Sequence, residues 1–429
     1  MEERIHIKRL FIRMLCVGAG GMALGFLLLV FVYMLPTEPM QNNVRNSANE
    51  WYDEGAWPVM VNGYSGSILD NFTDSLMLSV ATYENEESTV TRAMKSYYAM
   101  KSVDTLSFDS LYAYLQGESC YGENYARYWH GYLVVLKPLL LIFSYSDLRI
   151  LNMFVLCILV AYVAGLCCKN ISKGAGAVFL VMFAFLMPLT LFLCLDMANM
   201  MYVTLIAMIV LLKKQGYWQN REHAVLYFLA VGMVTSYMDF LTYPMITLGV
   251  PVVTYMALCA GRGLPLKIKN LLGYIVSWGL GYIGMWSAKW ILASLLTGEN
   301  IILNALRTVK KRSNMYAEDP GVTGRLNAVT DNFGVLFQGV FGWILIILMI
   351  GMLGCLVWKW KRGGRPRKGI WIIGLVALVP LAWLFVTSEH ASVHSWFTYR
   401  NLVVCIYSLG MMTVCFLRQE APASHADNI

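Results

Sequence analysis

The sequence predicts an all-α polytopic membrane protein of about ten transmembrane helices, with a large extracytoplasmic first loop carrying short interfacial helices. Three observations lead there. Mean hydropathy is +0.55. Hydrophobic residues make up 58% of the chain and charged residues 14%. The apolar residues come in long blocks instead of alternating patterns, as segments surrounded by lipid require. The net charge of +7 does not point to nucleic acid, because Lys and Arg lie between the apolar blocks, where they set orientation. Of the ten Cys, only Cys120 lies in a long polar segment, so no disulfide framework or metal-ligand spacing is visible.

Residues 1–35 form a basic cytoplasmic N-terminus and a first helix at 14–35. Arg4, Lys8, Arg9 and Arg13 precede an apolar run of about 20 residues that lacks a small-residue cleavage site, which marks a retained helix and not a signal peptide. Residues 36–147 carry more than a dozen Asp and Glu and few Lys or Arg, and form the acidic extracytoplasmic loop. Within it, "STVTRAMKSYYAMKSV" has a Ser/Thr-rich start and an apolar face at Ala93, Met94, Tyr97, Tyr98 and Met100, which predicts a helix. "HGYLVVLKPLLLIFSYS" is too short to span and contains Pro138, which places it at the interface.

Residues 148–292 hold spans two to seven, at 148–168, 174–194, 198–213, 223–239, 243–260 and 270–292. Residues 293–332 form a second, basic extracytoplasmic loop. Residues 333–417 hold spans eight to ten, at 333–357, 370–387 and 401–417, and 418–429 are a polar cytoplasmic tail without structure. With this count, Lys169 and Lys173, then Lys213, Lys214 and Arg221, then Arg262, Lys267 and Lys269, and the six basic residues of "WKWKRGGRPRKG" all fall on the side of the N-terminus. The positive-inside rule makes that side, and both termini, cytoplasmic. The expected location is a plasma membrane, bacterial in character.

The unusual polar residues then gather at the opposite face. Asp70 and Asp74 of "SGSILDNFTDSLMLS" lie in the first loop, as do Arg127, Tyr128, Trp129 and His130. Asp196 and Asp239 fall in tight turns, Lys289 near the end of span seven, and Glu389, His390, His394, Trp396, Tyr399 and Arg400 between spans nine and ten. Charges at a bilayer rim are costly unless they snorkel, pair or line a wet cavity, so a shared outward cavity is the economical expectation. Asp70 and Asp74 are four residues apart and share one face of a predicted amphipathic helix, where like charges repel unless a cation or proton lies nearby. His390 and His394 also have helical spacing, but two His beside one Glu are too few for a zinc site. Arg307, Lys310, Lys311, Arg312 and Arg325 break the orientation rule in the second loop, and an anion such as phosphate, or the acidic first loop, is the expected counterpart.

The segments "YARYWHGYLVVLKPLLLIFSYSDLRILNMFVLCILVAYVAGLCCK" (125–169) and "PLTLFLCLDMANMMYVTLIAM" (188–208) resemble the C-type (GT-C) superfamily of integral membrane glycosyltransferases. The likeness lies in a large acidic first loop, an aromatic and Lys-Pro segment before the second span, and an acid between the third and fourth spans. It covers roughly the first half of the chain. The resemblance implies a hexosyl- or pentosyltransferase using a polyprenyl-phosphate-linked sugar, with an extracytoplasmic glycan, lipid or protein as acceptor and inversion at the sugar carbon. Asp70 would be the general base, with Asp74 supporting it or helping to bind a divalent cation. Asp53 and Glu54, nearer the first span, are alternatives for the base. Arg127, Tyr128, Trp129, His130, Asp196, Asp239, His394 and Trp396 would bind substrate, and Lys289, Lys310, Lys311, Arg312 and Arg400 the donor phosphate. The rival class is a transporter or lipid or glycan flippase with an outward polar cavity, against which the chain has no duplicated halves. A polymerase or ligase of lipid-linked glycans shares the donor and differs in the acceptor.

Overall fold

The computed structural model describes residues 7–313, 321–365 and 367–418. The protein is all-α: among the described residues the named strands are only Tyr98–Met100 and Tyr121–Glu123, antiparallel with Ala99 opposite Gly122. Five helices are long and apolar enough to cross a membrane, namely Ile7–Tyr33, Tyr145–Asn170, Leu195–Lys213, Gly339–Lys361 and Ser395–Leu417. Shorter apolar helices run over Lys173–Phe185, Met245–Gly261 and Trp371–Val386. This is a membrane protein. The segments expected at 223–239 and 270–292 are also helical, as Arg221–Met238 and Ile268–Thr297, but are not among those five. The polar tail beyond Arg418 lies outside the described residues.

Helix starts follow local chemistry. Ser144 and Asp147 form a reciprocal capping box that opens Tyr145–Asn170. Ser172 caps Lys173–Phe185, and Asn220 caps Arg221–Met238. Helices Arg221–Met238 and Ile268–Thr297 run against each other at very short range. A Cβ on Gly232 would strike the Trp278 carbonyl, and one on Gly281 the Leu229 carbonyl. Such glycine contacts let backbones approach where no hydrophobic force separates helix from lipid. Gly281→Leu is therefore expected to push the pair apart and cost about 1–3 kcal/mol, read as a lowered Tm in detergent. Gly273→Ala on the same helix meets open space and should leave Tm unchanged or slightly raised.

The 36–147 segment is a folded cap of short helices: Glu38–Asn46, Ala48–Glu54, Asn71–Thr82, Thr89–Lys95, Ser107–Leu115 and Leu133–Leu140. Its own core stacks Tyr52 on Tyr112, with ring centroids 4.0 Å apart, and sets Trp51 edge-on to Phe108 at 5.1 Å. Three expectations are corrected here. The helix expected across 88–103 stops at Lys95, because Ser96 takes a left-handed conformation (φ 50°), and Tyr98–Met100 continues as a strand. The stretch around Asp70 and Asp74 is not a surface amphipathic helix: Asn71–Thr82 is buried on nearly every side. The second loop, 293–332, is largely helical, since Ile268–Thr297 runs into it and Ile301–Ser313 and Gly321–Leu336 follow.

Candidate functional site

At the end of the bundle covered by this cap lies a cavity of about 360 Å³. Its wall brings together Asp70, Tyr128, Asp196, Arg312, His390, His394 and Trp396, seven of the residues singled out by sequence, from five separate segments. Trp57, Thr73, Tyr125, Phe240 and Thr242 also line it, with apolar Ile68, Phe72, Leu76, Val393 and Phe397. Polar groups on aromatic walls suit a ligand with both hydroxyls and apolar faces.

The two acids of the first loop have separate tasks. Asp70 precedes helix Asn71–Thr82 and caps it: Oδ1 accepts from the Thr73 amide at 3.0 Å and Oδ2 from the Thr73 hydroxyl at 2.7 Å. Burial pushes its carboxyl up to about 6, against the lowering effect of the Thr73 hydrogen bonds, with the nearby Asp74 charge adding to the rise. Asp74 caps a different helix. Its oxygens accept from the Leu195 amide at 2.9 Å and the Asp196 amide at 2.8 Å, at the start of Leu195–Lys213, and from the Tyr145 hydroxyl at 2.5 Å. Cys194, which precedes that helix, provides no side-chain cap, so a carboxylate from another part of the chain satisfies the free N–H groups and complements the helix dipole. Burial raises the Asp74 carboxyl too, opposed by these same hydrogen bonds. The two acids stand one helical turn apart, the Asp74 amide donating to the Asp70 carbonyl at 3.1 Å, but their carboxylates cap different helices.

Asp196 is placed by that capping. It is 1% exposed, and neither of its carboxylate oxygens has a hydrogen-bond partner, an expensive arrangement for a buried acid. Asp70 and Asp196 are thus the acids that share the cavity. Glu54 is engaged elsewhere: Arg149 donates to both its oxygens at 2.8 Å, and Asn71 donates at 3.0 Å. Asp53 is exposed and does not line the cavity.

Opposite the acids, Arg312 donates to Nδ1 of His390 at 2.6 Å, and Nε2 of His390 donates to the Leu241 carbonyl at 2.7 Å. That fixes a neutral imidazole, and burial together with the Arg312 charge pushes its pKa well below the usual histidine range. Burial, then Arg312, lowers His394 to about 4. Among the described residues, Arg312 is therefore the only lining side chain that is cationic at neutral pH. Both His390 nitrogens are in use, and among the described residues no three His, Cys, Asp or Glu come together as metal ligands. The Asp74 oxygens are engaged by the Leu195 and Asp196 amides and the Tyr145 hydroxyl.

Several expected ligand-binding residues instead build the wall. Asp239 accepts from the Thr242 amide at 2.9 Å and the Tyr282 hydroxyl at 2.8 Å, shaping the turn that presents Phe240 and Thr242. Trp129 donates to the Met285 carbonyl at 2.6 Å, and both His130 nitrogens are taken by Tyr132 and the Tyr125 carbonyl. Arg127 stacks over Tyr125 at 4.7 Å, just behind the lining. Lys289 is fully buried between the Ala93 carbonyl, 3.2 Å away, and the Trp129 ring. Arg400, also fully buried, spends its N–H groups on the carbonyls of Leu186, Trp396 and Gly66 and on the Thr190 hydroxyl, at 2.6 to 3.2 Å. Neither cation lines the cavity, so the phosphate role expected for them is replaced by a structural one. Lys310 and Lys311 are exposed on Ile301–Ser313 and also lie off the lining.

Beside the cavity runs an apolar groove of about 400 Å³, between Leu133–Leu140, Tyr145–Asn170 and Leu195–Lys213. The two share a wall: Leu76 and Asp196 face the cavity, and their neighbours Met77 and Leu195 face the groove. No protein-family model, curated protein or solved structure matches the chain.

Proposed function

We propose that the protein is a membrane glycosyltransferase that moves a sugar from a polyprenyl-phosphate donor to an acceptor hydroxyl of a glycan, lipid or protein. The observation that carries this reading is the shared wall. A polar, aromatic-lined cavity with two buried acids and one arginine adjoins an apolar groove, which matches a ligand that is sugar and phosphate at one end and hydrocarbon at the other. The groove takes the isoprene units nearest the phosphate, and the rest of the tail lies in the bilayer. On this reading the cavity opens on the extracytoplasmic side of the plasma membrane, with ten spans and both termini cytoplasmic, an orientation that the distribution of Lys and Arg supports.

In this reaction Asp70, ionised, takes the proton of the acceptor hydroxyl as that oxygen bonds to the anomeric carbon. The bond from that carbon to the phosphate oxygen breaks, its electron pair leaves with the lipid phosphate, and Arg312 stabilises the charge gained there. Attack opposite the leaving group inverts the centre, and Asp70 then releases its proton to water. Trp57, Tyr128 and Trp396 cover the apolar faces of the sugar.

Arg312 is the test, because it is the cavity's charged donor. Arg312→Gln is expected to weaken binding of polyprenyl monophosphate by roughly ten- to a hundredfold, the range for a hydrogen bond to a charged group. Joint replacement of Lys310 and Lys311 by Gln should change it little, as exposed charges are screened. Equal losses in the two variants would place the phosphate outside the cavity and remove the donor from this reading.

A further inference from the structure

A second crevice lies at the other end of the molecule. Helix Val403–Leu417 follows directly on the segment carrying cavity-lining Trp396 and Phe397. At 1.5 Å per residue its far end is roughly 25–30 Å away. There Met412 and Phe416, with Val357 and Trp360 from Gly339–Lys361 and with Ile370 and Trp371, line an open crevice of about 300 Å³ that is almost wholly apolar. Gly339–Lys361 buries only Gly342 and Leu345, so the crevice opens sideways to the membrane and not into the protein core.

Cations ring this end. Lys361 and Arg362 follow Trp360, Lys368 stands two residues before Ile370, and Arg418 two residues after Phe416. The Arg362 guanidinium lies over the Trp358 ring at 4.4 Å, at the same end of that helix. Residues 333–388 contain no Asp or Glu. Among the described residues, no ion pair joins Lys361, Arg362, Lys368 or Arg418 to a carboxylate. Three chain segments thus bring positive charge close to one hydrocarbon slot, and among the described residues no carboxylate pairs with it.

We infer that this crevice is a binding site for an anionic phospholipid, with one acyl chain between Trp360, Trp371, Met412 and Phe416 and the phosphate among Lys361, Arg362, Lys368 and Arg418. Apolar area holds the chain, and the cations select the headgroup by charge, as basic pockets between membrane helices do. The site is independent of the sugar-transfer reading and uses none of its residues.

The experiment is native mass spectrometry of the full chain, delipidated in detergent and offered phosphatidylglycerol and phosphatidylcholine in equal amounts. Preferential retention of phosphatidylglycerol is expected. The variant carrying Gln at Lys361, Arg362, Lys368 and Arg418 should lose that preference by roughly tenfold or more, and Met412→Trp, which fills the slot, should lose retention of the lipid itself. Both variants are compared at unchanged helix content by circular dichroism. Equal retention of the two lipids by the unmodified chain, or a preference that survives the fourfold replacement, would overturn the assignment.

Discussion

Asp70→Asn is expected to lower sugar transfer by on the order of 10²- to 10⁴-fold, the range for a general base, while leaving the fold intact. The separation is possible because Asn is as good an N-cap as Asp, so the bond from the Thr73 amide survives. Protonation gives the same loss by another route. With the Asp70 carboxyl raised to about 6 by burial, the ionised form that accepts the proton is depleted below that pH, and the rate should fall as pH drops through 6. Stability moves in the opposite sense. A group whose folded pKa lies above its unfolded value binds more protons when folded, so its contribution is full below about pH 4 and is lost as pH rises through 6. Removing that charge predicts a Tm at pH 7 for Asp70→Asn that is equal to or above that of the unmodified protein. Asp74→Ala behaves differently, because it strands two backbone N–H groups and the Tyr145 hydroxyl, and its activity falls together with its Tm. Release of polyprenyl phosphate measured against pH, beside thermal melts of both variants, separates the two roles.

Arg400→Met should be the most destabilising single change, at about 3–5 kcal/mol, because several buried acceptors each lose a charged donor. The guanidinium joins the cap at Gly66, the turn at Leu186, the start of Pro188–Leu193 at Thr190, and the last apolar helix through Trp396. Met fills much of the volume but removes a charged donor from three carbonyls and from a hydroxyl that keeps only its bond to the Met187 carbonyl. Arg400→Lys restores the charge but cannot reproduce the planar fork, so only a small part of the loss should return. Because one of the anchored residues is Trp396, which lines the cavity, ligand binding should weaken in step with stability, as scanning calorimetry beside a binding isotherm would show.

The helices were legible because lipid imposes a simple pattern: long apolar blocks separated by basic turns mark helical segments without any tertiary knowledge. The cavity was legible in outline for the same reason, since Asp70, Asp196, Arg312, His394 and Trp396 break that pattern near segment ends. What could not be read was the division of labour. Nothing in the spacing of Asp70 and Asp74 reveals that one caps its own helix and the other a helix more than a hundred residues away. Lys289 and Arg400 look like phosphate ligands by type and position, but their partners are backbone carbonyls, which leave no mark on side-chain patterns. Phe240 and Thr242 reach the cavity through a turn set by Asp239, whose composition is ordinary for a connection between helices. Trp57 carries a signal in hindsight, as a Trp beside Pro58 in a polar segment.

The central claim is that the polar cavity and the apolar groove bind one lipid-linked sugar. The most direct measurement is a structure of the purified protein with polyprenyl monophosphate. The account predicts the phosphate at Arg312, the first isoprene units between Leu136, Leu148 and Tyr202 in the groove, and Asp70 facing the space where the sugar carbon would stand. Phosphate density away from Arg312, or a tail outside the groove, would contradict it.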